Sequence, residues 1–166
     1  MWSLLELIKA SSLFWAGMLV GVSFLATPIK FQAETLSRPV ALDVGRETFH
    51  LLSKVEIGLT VAFLALVGLT LYRGHANRLL LALAGGVALI VVAQAAWLLP
   101  ALDVRVAAAI DGRELESSRL HLIYITLEVV KLGGLFLIAL VAHRSQKNLA
   151  DATSLAPALN QGENLR

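Results

Sequence analysis

Apolar positions along the chain do not alternate with polar ones. They gather in four long runs, at about residues 3–25, 46–72, 79–99 and 118–142. A helix needs about 20 mostly apolar residues to cross a bilayer core, and each run reaches that length. The third run, Leu79 to Leu99, contains no charge at all. The second is uncharged only from Ile57 to Leu71. Runs two and four therefore span the bilayer only by carrying ionisable residues into it. The pattern predicts an all-α membrane protein, a four-helix transmembrane bundle.

The connections differ. Arg73 to Arg78 is a very short turn containing Gly74, so the second and third helices are expected to be antiparallel neighbours. The stretches 27–45 and 100–117 are longer and carry both charge signs. Each has room for a short helix at the membrane interface, but not for a folded domain. From 148 to 166 the sequence turns polar, which predicts a disordered C-terminal tail. At the other end Lys9 precedes the apolar stretch Ala10 to Ala26, but Glu6 interrupts its start and Phe24 occupies the −3 position for cleavage after Ala26. That stretch is expected to be the first transmembrane helix and not a cleaved signal.

The two halves echo each other. Pro39 is followed by Ala41-Leu42-Asp43-Val44, then Phe49-His50-Leu51 and Glu56; Pro100 is followed by Ala101-Leu102-Asp103-Val104, then Leu120-His121-Leu122 and Glu128. The echo predicts two similar helical hairpins whose interface is the natural place for a ligand.

Composition agrees with a membrane solvent. Of 166 residues 57% are hydrophobic and 16% charged, against about a quarter charged in soluble domains. There is no cysteine, which excludes disulfides, thiolate metal sites and cysteine nucleophiles. The net charge of +2 and the lack of any long basic block exclude a nucleic-acid surface. The expected partners are the lipid bilayer and either a second copy of the chain or a larger membrane complex. Lys and Arg in the short turn and after the fourth helix favour an inner-membrane protein with both termini cytoplasmic, although the long loops carry nearly as many.

Candidate chemistry lies in the ionisable residues at membrane depth. Each costs about 2.5–3.5 kcal/mol on insertion scales and usually marks function. On the fourth helix His121, Tyr124, Glu128 and Lys131 fall at i, i+3, i+7 and i+10, within a face about 80° wide. Glu128 and Lys131 are spaced to pair directly. On the second helix Glu47, His50 and Lys54 share one face, with Glu56 about 120° from His50. Gln94 and Trp97 offer donors on the third helix.

These residues suggest two kinds of site. In the first, Glu56, Glu128 and Lys131, with Lys54 and Tyr124, form a ligand or proton site, since buried carboxylates are candidates for proton exchange. That suits a small transporter, a proton-coupled accessory subunit or a pocket for an amphipathic molecule, and not an enzyme. In the second, His50 and His121 hold a haem or another metal between the second and fourth helices. Glu47-Thr48-Phe49-His50 has the Glu-x-x-His spacing of di-iron bundles, but those need two such motifs and only one is present. Gly85-Gly86, Gly133-Gly134 and Gly17-x-x-x-Gly21 predict close helix packing or a kink.

The stretches WAGMLVGVSFLATPIKFQ and VGRETFHLLSKVE, within Trp15 to Glu56, resemble uncharacterised four-helix bacterial inner-membrane proteins. Pro28-Ile29-Lys30-Phe31 and Arg119-Leu120-His121 more distantly resemble a broader family of unknown function, which includes a eukaryotic transmembrane protein linked to drug resistance. The resemblance covers most of residues 10–142 and implies the same four-helix fold. It carries no activity to transfer.

Overall fold

The computed structural model describes residues 3–74, 78–113 and 118–163, the last stretch from 152 onward by its backbone alone. Four helical rods succeed one another: α1 (Leu4–Gln32), α2 (Arg38–Tyr72), α3 (Arg78–Ile110) and α4 (Leu120–Glu163). All four contain a stretch long and apolar enough to cross a membrane. The described residues contain no strand.

Each rod outlasts its apolar run. Residues 27–32 and 38–45, expected in a loop, are helical, leaving only 33–37 to join α1 to α2. The polar shift marks where the chain meets water, whereas helix ends are set by backbone capping. Ser3 opens α1 with a reciprocal capping box to Glu6. Pro39 stands in the first turn of α2, where its missing N–H costs nothing. Gly74 and Gly112 follow α2 and α3 with φ of +72° and +71°, the left-handed conformation that closes a helix. At the far end α4 continues to Glu163 across the polar stretch for which the sequence predicted a disordered tail.

Pro100 does not end α3. A proline inside a helix lacks an N–H and presses on the carbonyl four residues back. Here that carbonyl belongs to Ala96, inside a π-helical segment, Gln94–Leu98, that widens the turn. Pro28 in α1 stands in the same relation to the π segment Val20–Ala26. In both, the backbone re-bonds five residues back, Leu99 N–H to Gln94 O and Thr27 N–H to Val22 O.

The rods alternate in direction. α1 packs along α4, α3 along α4, and α2 against both α3 and α1. A hydrogen bond of 2.8 Å from Gln146 to Glu6 ties the far part of α4 to the start of α1. Half of the bundle is an apolar core of Leu5, Ile8, Leu19, Val67, Leu80, Leu135, Ile138 and neighbours. Its outer surface is equally apolar, with Phe14, Val61 and Leu89 fully outward, as expected of rods bathed in lipid.

The two hairpins are not confirmed as repeats. Ala41–Val44 lies in the first turns of α2, and Ala101–Val104 near the end of α3. Both copies therefore sit at the same end of the bundle. The glycine expectations hold at one position. A Cβ at Gly134 would meet Val87 at 3.1 Å, so α3 and α4 approach closely there. Nothing lies within 4 Å of such an atom at Gly17, Gly21, Gly85, Gly86 or Gly133, so these serve no close packing inside the bundle.

Candidate functional site

Midway along the bundle the apolar core gives way to a layer of ions. Lys131 is fully buried, and its ammonium lies 2.6 Å from Glu56 Oε1 and 2.8 Å from Glu128 Oε1. It also donates to Gln94 Oε1 at 2.7 Å. Gln94 turns its amide back to donate to the same Glu128 oxygen at 2.9 Å. Trp15 Nε1 donates to Glu56 Oε1 at 3.0 Å. Ser23 Oγ donates to Glu128 Oε2 at 3.1 Å. Every rod contributes, and among the described residues no buried side-chain polar atom lacks a partner.

Local structure explains the convergence. The buried face of α2 runs through Leu52, Glu56, Thr60 and Phe63, a three-to-four residue rhythm. Tyr124, Glu128, Lys131 and Leu135 do the same on α4. Gln94 opens one π segment and Ser23 lies in the other. The wide turns thus lie where α1 and α3 present their polar groups, a recurrent use of π geometry.

Two carboxylates face one ammonium, so with both acids ionised the layer carries one negative charge in excess. Its attractions act in a medium of low dielectric, where an unmatched charge is also most costly. Glu128 stands at the edge of the layer. Its Oε1 is held by Lys131 and Gln94, while its side chain also lines a cavity of about 510 Å³. Ser23 and Glu128 form the inner end of that cavity. Phe24, Phe49, Leu99 and Tyr124 wall it, and Lys30, Arg46, Asp103 and His121 stand toward residues 33–37 and 111–113.

The expected site residues separate. Glu56, Glu128 and Lys131 come together. Tyr124 is buried beside them, edge-on to Phe49 with ring centroids 5.3 Å apart. Lys54 is exposed on the outer side of α2, away from the cluster. His50 Nε2 is bound to Asp103 Oδ2 at 2.8 Å, joining α2 to α3, while His121 lines the cavity. That bond engages one ring nitrogen of His50 and ties the ring to α3. Among the described residues no group of three His, Asp or Glu is arranged to hold a metal ion. Trp97 is exposed and takes no part, unlike Gln94. The sequence reading missed Trp15 and Ser23. Trp15 had a usable signal, because a buried indole needs an acceptor and it shares a face with Ile8, Ser12 and Leu19.

Fold and site together define a multi-pass integral membrane protein with an ion cluster buried inside its bundle. The family described as a domain of unknown function (DUF4149) matches residues 11–105. That is more than half of the chain, and the protein belongs to this family. The match takes in most of α1, all of α2 and most of α3, and so includes Trp15, Ser23, Glu56 and Gln94 but not Glu128 or Lys131. Comparison with curated proteins and with solved structures gives no match.

Proposed function

We propose that the protein is a small membrane transporter whose working site is the Glu56–Lys131–Glu128–Gln94 cluster together with the cavity that ends on it. One observation carries this reading. Glu128 belongs to both parts, bonded to Lys131 and Gln94 on one side and lining the cavity on the other. A purely structural ion pair has no need of an open approach. A carboxylate with one unmatched charge beside an apolar cavity is suited to exchange a proton when an amphipathic molecule enters. Lys54, exposed on α2, has no part in this mechanism.

The haem or metal reading on His50 and His121 is less well supported, because among the described residues no group of three His, Asp or Glu is arranged to hold a metal ion. Infrared difference spectroscopy on the purified protein, stepped across pH, tests the transporter reading. The expected result is a protonated-carboxyl band that exchanges in heavy water and is missing from Glu128→Gln. A pH-dependent carboxyl spectrum that Glu128→Gln leaves unaltered would overturn it.

A further inference from the structure

The cavity's charges are not equally committed. Arg46 is held by Asp43 and Glu47 on its own helix. Asp103 is held by His50, and Glu128 by Lys131. Lys30 differs. Among the described residues it has no carboxylate within ion-pair distance, and its only recorded contact of charge is with the face of Phe31, 5.1 Å from the ring centroid. It is half-buried at the cavity, with its ammonium laid against the bare backbone of Gly45. A Cβ at residue 45 would overlap that ammonium and displace this flexible end of the side chain.

A cation at the mouth of an apolar cavity, desolvated on one side and without an anion, is one half of an ion pair. The walls beyond it are nearly all hydrocarbon and aromatic. We infer that the cavity takes an amphiphile with an anionic headgroup, a carboxylate or a phosphate monoester, which Lys30 binds while the apolar chain lies between Phe24, Phe49, Leu102 and Tyr124. The inference rests on the proposal that the cavity is a ligand site, and adds the class of ligand. Lys30 is the headgroup residue. His121, also at the cavity, supplies a further donor. The bilayer supplies such molecules directly, as free fatty acids or as lysophosphatidic acid.

Fluorescence binding tests this on the full chain in detergent, with cis-parinaric acid and its methyl ester as probes. The acid is expected to bind, and the uncharged ester about tenfold more weakly, the scale of one charge-assisted hydrogen bond. Lys30→Gln should weaken the acid by a similar factor and Gly45→Ala by less, both leaving the ester unchanged, with Lys30→Arg restoring binding. Both positions lie away from the ion cluster, and thermal melting of each variant confirms the fold. Displacement by oleate or by lysophosphatidic acid then distinguishes a carboxylate from a phosphate headgroup. Equal binding of acid and ester, or a Lys30→Gln variant that binds the acid normally, overturns the headgroup assignment and leaves the cavity reading standing. If neither probe binds, both fall.

Discussion

Lys131 gathers three acceptors on one ammonium: Glu56 from α2, Gln94 from α3 and Glu128 from its own helix. Removing it leaves two acids buried without a counter-charge. Breaking a buried ion pair from one side costs about 3–5 kcal/mol, whereas replacing all its members by apolar residues of similar size is often neutral. Lys131→Met is therefore expected to lower the melting temperature in detergent sharply. The triple change Glu56→Leu, Glu128→Leu, Lys131→Met should recover most of it while abolishing proton exchange. That combination separates the cluster's structural role from the functional one. At this scale much was legible in advance. Helical spacing placed Glu128 beside Lys131, but Lys54 was grouped with Glu56 although the structure turns it outward from α2. Trp15 could be read as an indole in need of an acceptor, but that it and Ser23 meet these particular acids was not legible. Those contacts depend on how far α1 slides along α2 and α4, and no spacing within a single helix encodes that register. The same reason explains His50, which meets Asp103 on α3 and not a partner on α4.

At the scale of helices, adjacent glycines do different work. Gly134 faces Val87 of α3 and Gly133 faces outward. Gly134→Leu should overpack that contact and cost about 1–3 kcal/mol. Gly133→Leu should leave the melting temperature nearly unchanged. Equal effects would show that α3 and α4 do not approach there. The helix ends were harder to foresee than the helices. Proline and charge both argue for a stop, yet α3 runs through Pro100 because the π turn absorbs the ring and the lost N–H. The charged residues flanking the apolar runs extend the rods instead of ending them.

Across the whole molecule, the alternating rods place the start of α1, the end of α2, the start of α3 and the latter part of α4 at one end, with 33–37 and 111–113 at the other. The chain has no cysteine, so single introduced cysteines report sidedness cleanly. Arg73→Cys and Lys147→Cys are expected to react with an impermeant maleimide from the same side of the membrane, and Arg113→Cys from the opposite side. A shared side for all three would contradict the four-span topology. The bundle that results has an apolar half, a layer of ions and a cavity, in that order, with Glu128 at the junction. Carbodiimide labelling tests that arrangement most directly, because the reagent is apolar and attacks carboxyl groups it can reach within the membrane. With modified residues mapped by mass spectrometry, Glu128 should be modified through the cavity. Glu56, enclosed by Trp15 and Lys131, should not. Modification of Glu56 in preference to Glu128, or of neither, would contradict the account.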